Sequence, residues 1–244
     1  MAAMIELLIR KLEQFGTLSS DERKVLEDLP IDVRQVEADQ DVAREGQRSS
    51  HCMLLLSGMV CRYRLLQNGQ RQIMSFHFPG DILDLTSLFP GTLDHSIGTL
   101  TPVEIAPIAH ATLLDWTERH PRLGRRLWQD TLMDAAVFRE WVVNVGRRSA
   151  YARIAHLLCE MVTRLSASSP VHDRAYSLPI TPVEIADATS LSIVHVNRVL
   201  QELRIKKLVE LRDKTLVMLD WAGLQQAAGF DPAYLHYRAK SADA

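Results

Sequence analysis

The chain has 244 residues, of which 47% are hydrophobic and 24% are charged, and its formal net charge is −2. This composition is that of an ordinary soluble globular protein, and the length allows one large domain or two modest ones. No apolar run approaches the length of a membrane span, and the start MAAMIELLIRKLEQF has charges among its apolar positions and lacks the apolar core of a signal peptide. We therefore expect a cytoplasmic protein with no membrane segment.

Two helices are predicted at the start of the chain. The first is amphipathic over residues 4–15, and the second begins at a serine cap, Ser19 or Ser20, and ends at Pro30. Short apolar stretches separated by turn signals follow, of which Asn68-Gly69 is the clearest hairpin turn. The predicted strands cover residues 33–37, 52–56, 59–66, 70–77, 96–100 and 103–107. Many short strands with such turns predict a β-sandwich or barrel.

The cysteines and histidines do not form a recognisable metal motif. Cys52, Cys61 and Cys159 are far apart and odd in number, with no CxxC pair, so neither a zinc site nor a disulfide framework is predicted. We expect Cys159 to be a buried structural residue, with a thiol redox role as the alternative. His77 and His95 lack the spacing of metal ligands and are interpreted as exposed or hydrogen-bonded strand residues.

A long helix is predicted from Pro121 to about Val145, ended by Gly146 and followed by a hinge at Arg147-Arg148. Its apolar stripe is wider than one packing face requires, so we expect one side to cover the barrel and the other to pack on a second copy of the chain. A helix buried within one subunit is the alternative. The predicted dimer contacts are Leu127, Leu132, Ala135, Phe138, Val142 and Val145.

Two short helix signals joined by a tight turn lie between Ile180 and Leu211. The first helix opens with the capping-box sequence that starts at Thr181, and Ser192 caps the second. In the second helix Ile193, Val196, Val199, Leu200 and Leu203 should be buried. The opposite face can contact base edges in a major groove and carries Val194, Asn197, Arg198 and Gln201.

A β-hairpin with basic residues at its base and tip is predicted after this helix, and such a wing suits phosphate contacts. The predicted backbone contacts are Thr181, Ser192, His195, Lys206, Lys207 and Lys214. Residues 147–220 hold 11 Lys/Arg and 8 Asp/Glu, which gives +3, whereas the rest of the chain carries −5. An ordinary helical hairpin with a solvated polar face is the alternative interpretation.

The stretch LSIVHVNRVLQELR at 191–204, followed by a basic wing, resembles the DNA-binding end of the Crp/Fnr transcription regulators. The resemblance covers about residues 5–220, because REGQ at 44–47, LLSG at 55–58, NGQRQI at 68–73 and FHFPGD at 76–81 fall in the order of that family's sensor barrel. It implies an α+β protein with an N-terminal double-stranded β-helix (jelly-roll) sensor domain, a long dimerisation helix and a C-terminal winged helix-turn-helix domain. The expected boundaries are 1–120, 121–146 and 147–220, with a tail over 221–244.

The resemblance implies a sequence-specific transcription regulator that binds double-stranded DNA as a homodimer, at a near-palindromic promoter site. RNA polymerase would be a further partner of an activator. Arg198 matches the family's base-reading arginine, whereas Val194 replaces the usual glutamate, so we expect a half-site that departs from the family consensus. No catalytic motif occurs, and no enzyme activity is predicted. The rival interpretations are a small-molecule-binding sensor module without DNA binding, and a cupin-like enzyme with His51, His77 and His95 as metal ligands.

No cofactor is predicted for the sensor domain. The resemblance places the phosphate-binding segment of cyclic-nucleotide sensors at residues 79–89, but Asp81 replaces the usual glutamate and no Lys or Arg occurs from Gln72 to Glu118. A buried cyclic phosphate would lack a paired cation, so neither cyclic AMP nor cyclic GMP is expected. Residues 1–51 hold no cysteine, which separates the chain from the iron–sulfur branch of the family. The effector is unknown, and its pocket candidates are Phe76, Phe78, Asp81 and Leu83.

Overall fold

Two helices open the chain; the first begins and ends two residues before its predicted bounds, and the second begins after Ser19, one of the two predicted caps. A computed structural model describes residues 2–89, 91–168 and 174–237. Helix α1 spans Ala2–Glu13 and α2 spans Ser20–Glu27. Ser19 caps α2 in a reciprocal capping box with Glu22, in which each backbone N–H donates to the other side chain, at 2.7 and 3.2 Å.

Two antiparallel sheets form the N-terminal sandwich, in agreement with the jelly-roll prediction. One sheet has the order β1-β7-β3 and the other β2-β6-β4-β5. The strands are β1 Arg34–Val36, β2 Asp41–Ala43, β3 His51–Ser57, β4 Val60–Leu65, β5 Arg71–His77, β6 Ser96–Thr99 and β7 Val103–Ala109. The hairpin at Asn68-Gly69 is confirmed, since β4 pairs with β5 and Gly69 has a φ of 83°. Strand β2 was not predicted, because its three residues are too few to show alternation.

The long helix is confirmed, but its end differs from the prediction. Helix α3 spans His110–Arg119, and α4 spans Pro121–Arg147 with proline in its first turn. Gly146 therefore lies inside α4 and does not end it. A glycine costs a helix only about 1 kcal/mol relative to alanine. The chain leaves the helix at Arg148, which is extended with a ψ of 145°.

The C-terminal domain is a winged helix-turn-helix. Its elements are α5 Ala150–Ser168, β8 Ala175–Ser177, α6 Pro182–Thr189, α7 Ile193–Ile205, β9 Val209–Arg212, β10 Thr215–Met218 and α8 Trp221–Ala228. The strands form a sheet of order β8-β10-β9. The polar sequence over residues 166–177 predicts a loop, of which 169–173 lie outside the described residues, but Ala175–Ser177 form β8. The sequence after Asp220 predicts a partly helical tail, which α8 and a short 3-10 helix at Pro232–Leu235 confirm.

One hydrophobic core joins the C-terminal domain to the sandwich. It contains Phe76 and Phe78 of the β5 region, Trp141 of α4 and the buried faces of α5, α6 and α7. The rings of Phe76 and Trp141 lie 6.0 Å apart. The C-terminal domain is therefore packed directly against the sandwich.

Candidate nucleic-acid interface

The turn between α6 and α7 fixes the relative orientation of the two helices. Thr181 caps α6, because its hydroxyl accepts from Val183 N at 3.2 Å and its N–H donates to Glu184 at 2.7 Å. The helix ends at Ser190, which adopts the left-handed conformation with a φ of 54°. The small, buried Ala186 allows α7 to approach closely.

Helix α7 has one buried face and one exposed face. The Ser192 hydroxyl caps it by accepting from His195 N at 3.3 Å. Val196, Val199 and Leu203 are buried, as predicted. Ile193 is instead 45% exposed, because it is the first residue of the helix and projects past the contact with α6.

The predicted base-reading residues all lie on the exposed face of α7. Val194 is 80% exposed, and Asn197, Arg198 and Gln201 are exposed as well. Spacings of three and four residues place them along one side of the helix. Among the described residues, no ion-pair partner of Arg198 occurs within the chain. This side can therefore offer an apolar contact, an amide and a guanidinium to the edges of base pairs.

The wing is a hairpin with a tight, basic tip. Asp213 and Lys214 have φ values of 49° and 60°, the consecutive positive angles of a two-residue hairpin turn. Lys207 and Lys214 are exposed. Lys206 is partly engaged, since its Nζ lies 2.8 Å from Glu202 and 4.3 Å from the centre of the Tyr151 ring.

The other predicted backbone-contact residues divide into two groups. Thr181 and Ser192 are exposed, but their hydroxyls cap α6 and α7, and the backbone N–H of Thr181 is also engaged, because it donates to Glu184. His195 is half-buried. Of the three predicted lysine contacts, Lys206 pairs with Glu202, whereas Lys207 and Lys214 have no ion-pair partner within the part of the chain that the structure describes.

Most, but not all, of the predicted dimer contacts on α4 lie on its outward side. Leu132 is 55% exposed and Val142 is 69% exposed, and Ala135, Phe138 and Val145 are half-buried. Leu127 does not belong to this face, because it is buried in the core between α4 and the sandwich. Trp128, which was not predicted, takes its place on the exposed side.

The segment at residues 79–89 is surrounded by cations from distant parts of the chain. One Asp81 oxygen pairs with Lys11 of α1, and the other lies 3.2 Å from Arg164 of α5. Arg62 donates from Nε to Leu83 O at 2.7 Å. The prediction that no cation lies near this segment is therefore wrong. It considered only residues close in the chain, whereas these cations come from α1, β4 and α5.

These cations are already paired within the protein. Burial alone would raise the pKa of Asp81, but Lys11, a hydrogen bond from His77 and Arg164 hold it well below its ordinary value. Arg62 donates from Nη1 to Asp134 of α4 at 2.7 Å. Burial, with help from Arg62, lowers the pKa of His77 to about 4, so this imidazole is neutral at physiological pH.

The pocket candidates Phe76, Phe78, Asp81 and Leu83 are all buried. Asp81 is committed to the ion pairs described above, and the two phenylalanines belong to the core shared with the C-terminal domain. Leu83 belongs to a separate core inside the sandwich. The structure therefore does not gather these four residues around one cavity.

The histidines and cysteines of the described residues do not assemble into a metal site. Within residues 2–89, 91–168 and 174–237, no group of three His, Cys, Asp or Glu side chains could hold a metal ion. Cys52, Cys61 and Cys159 are buried free thiols, and burial raises the pKa of Cys61 to about 12 and that of Cys159 further. Across the same described ranges, every helix is too short or too polar to span a bilayer.

The fold and the interface together define a winged helix-turn-helix regulator. Its parts are a capped helix-turn-helix with an exposed second helix, a basic wing, and a jelly-roll domain joined to them by a long helix. Family models agree with this class: the cyclic nucleotide-binding domain matches residues 33–120, and the Crp-like helix-turn-helix domain matches residues 152–227. The chain belongs to the Crp/Fnr family of DNA-binding transcription regulators.

Individual relatives cover most of the chain. The transcriptional activator protein FnrL of Cereibacter sphaeroides is 25% identical over 219 residues, which are 87% of this chain and 86% of FnrL. The nitrogen fixation regulation protein FixK of Rhizobium meliloti is 29% identical over 175 residues, covering 71% and 76% of the two chains. The structure of FixK2 from Bradyrhizobium japonicum has the same fold, with a TM-score of 0.75 and 22% identity over 83% of this chain and all of FixK2.

The sequence did not predict several buried charged residues, because they lie on helix faces that are otherwise apolar. Lys11, Asp130 and Arg164 lie among the buried apolar residues of α1, α4 and α5. A charge on the inward face of an amphipathic helix is the signal that could have marked them. It indicates that each needs a buried partner, but it does not identify which one.

Proposed function

We propose that the protein controls transcription by binding a near-palindromic promoter site as a homodimer, with one α7 in each of two successive major grooves. The exposed face of α7 is the observation that carries this proposal. Its opposite face is buried, and Val194, Asn197, Arg198 and Gln201 lie together on the exposed side, where they can meet a ligand. These side chains suit base edges, and Lys207 and Lys214 suit the flanking phosphates.

The geometry of α4 favours a parallel pair of subunits. This helix has 27 residues and is therefore about 40 Å long. In an antiparallel pair the two C-terminal domains would lie at opposite ends of that length. A parallel pair places both copies of α7 at the same end, where they can reach half-sites one helical turn apart, at roughly 34–36 Å.

Side chains of the sandwich and of the helix-turn-helix contact each other directly. Arg71 at the start of β5 donates to Asp187 of α6 at 2.7 Å, and the Ser190 hydroxyl donates to Gln72 at 2.9 Å. Together with the Asp81–Arg164 pair, these contacts join the C-terminal domain to the sandwich. The cations around residues 79–89 are paired with carboxylates of the chain, so a cyclic phosphate would have to displace a buried partner. The sensor domain therefore acts without a cyclic nucleotide, and its effector is unknown.

Selection of genomic DNA fragments by the purified protein tests the proposal. The selection should be done without added ligand at near-physiological salt. Enrichment of a palindrome with half-sites about one turn apart is the expected result. Non-specific binding that appears only at low salt would point to a missing effector. Failure to bind DNA at any salt concentration would favour the rival function, a small-molecule-binding module whose C-terminal helices contact proteins.

A further inference from the structure

The outward side of α4 carries an apolar strip with the spacing of a coiled-coil seam. Its members alternate steps of three and four residues and are all exposed or half-buried: Trp128, Thr131, Ala135, Phe138, Val142 and Val145. In a parallel two-stranded coiled coil, residues with this spacing meet their own copies across the two-fold axis. We call these six residues the seam.

Charges of opposite sign flank the seam. Asp134 directly precedes Ala135, and Arg139 directly follows Phe138. These are the two flanking positions from which parallel coiled coils form salt bridges between helices. In an in-register parallel pair, the side chain before a core position reaches the partner's residue five positions further on, so Asp134 would face the partner's Arg139.

Arg139 is available for such a contact. It is exposed, and the described residues of its own chain include no ion-pair partner for it. Arg148, which directly follows the helix, is instead paired with Glu140 at 2.5 Å. An exposed cation beside an apolar strip is stabilised when a second helix brings an acid to it.

Asp134 connects the seam to the interior of the sandwich. Its carboxylate accepts from the buried Arg62 at 2.7 Å, yet its side chain remains 16% exposed. Arg62 in turn donates to Leu83 O in the segment at 79–89. A group that approaches Asp134 from outside therefore acts on a contact that reaches this segment.

We propose that Arg139 of each protomer pairs with the partner's Asp134, and that each pair links the seam to the buried Arg62 of one sandwich. This inference rests on the proposed homodimer. The two charges meet only when the helices are parallel and in register, since a shift of one heptad would place Gly146 opposite Asp134. The pair thus selects the arrangement in which both copies of α7 face the same DNA.

A double-mutant cycle on the dimer dissociation constant tests the pairing. Arg139→Gln removes two symmetric ion pairs and should raise the dissociation constant about tenfold at low salt, with a smaller effect at high salt. Asp134→Asn keeps an acceptor for Arg62 while it removes the charge. In that background, Arg139→Gln should have little further effect.

Sedimentation equilibrium supplies the constants, and circular dichroism checks that each variant is folded. Arg147→Gln is the matched control, because Arg147 is an exposed arginine at the end of the same helix but outside the seam and its flanks. A wild-type protein that stays monomeric at all concentrations would remove the homodimer itself. A dimer that ignores Arg139→Gln, or responds to it equally in both backgrounds, would overturn the pairing and leave the proposed function standing.

Discussion

Asp81 of the sandwich and Arg164 of α5 form a buried ion pair with 3.2 Å between their closest atoms. Asp81 also pairs with Lys11, which lies 3.1 Å from Asp130 of α4. Four separate parts of the chain therefore meet in one charge network. Removing one member of such a network leaves the others charged and buried, which is costly. The network fixes the position of the C-terminal domain on the sandwich.

Replacing Asp81 should strongly destabilise the protein. Asp81→Ala removes a buried acid that pairs with both Arg164 and Lys11, so we expect a loss of about 3 kcal/mol in the free energy of unfolding. Chemical denaturation measures this loss. Asp32→Ala is the control, because the Asp32–Arg34 pair is exposed and should contribute less than about 0.5 kcal/mol. Equal effects of the two substitutions would show that the network does not hold the fold together.

Stability should fall as the pH is lowered from about 6.5 to about 4. Burial lowers the pKa of His77 and that of His156 from 6.5 to about 4. In this window the unfolded chain binds protons that the folded chain does not, so stability is full above 6.5 and is lost towards 4. His77→Gln should flatten the dependence of the unfolding free energy on pH, by about 3 kcal/mol at most over the window. An unchanged slope would mean that His77 is protonated in the fold.

Arg198→Ala should weaken specific DNA binding. Loss of a two-pronged contact to a base pair costs roughly 1–3 kcal/mol of specific affinity and relaxes the preference at one position of the half-site. Competition binding with the selected site and with single-base variants of it measures both effects. Arg34→Ala serves as control, since Arg34 is an exposed arginine on β1 of the sandwich. If the affinity of Arg198→Ala for the selected site equalled that of the wild type, α7 would not be the recognition helix.

Lys214→Ala should weaken binding to all sequences alike. Lys214 lies at the exposed tip of the wing, where its ammonium suits a phosphate and not a base. Its loss should reduce the slope of log affinity against log salt concentration by about one and leave the ratio of specific to non-specific affinity unchanged. Titrations at several salt concentrations give both quantities. A change in base preference would instead place the wing tip in a groove.

Local signals in the sequence predicted the elements of the interface. Thr181 and Ser192 are helix caps, and each is followed by helical periodicity. Asn68-Gly69 suits a tight hairpin turn, because Gly69 can adopt a positive φ. Each of these signals depends on residues within four positions of one another. For that reason α6, α7 and the β4–β5 hairpin are found where the sequence places them.

The charge network could not be predicted in the same way. Lys11 and Asp81 are 70 residues apart, and Asp81 and Arg164 are 83 apart. The sequence shows each as a charge beside apolar residues, but the pairing depends on how α1, α4 and α5 pack around the sandwich. The exposure of Ile193 and the burial of Leu127 also depend on packing. Periodicity predicts which residues share one face of a helix, but it does not identify the element that packs on that face.

A footprint on the selected DNA site, combined with the number of chains bound per site, tests the central claim most directly. We predict two chains per site and two protected regions related by two-fold symmetry, centred about 10–10.5 base pairs apart. Arg198→Ala should weaken the protection of both regions equally. One chain per site, or a single protected region without symmetry, would contradict the account of a parallel dimer that reads DNA with α7.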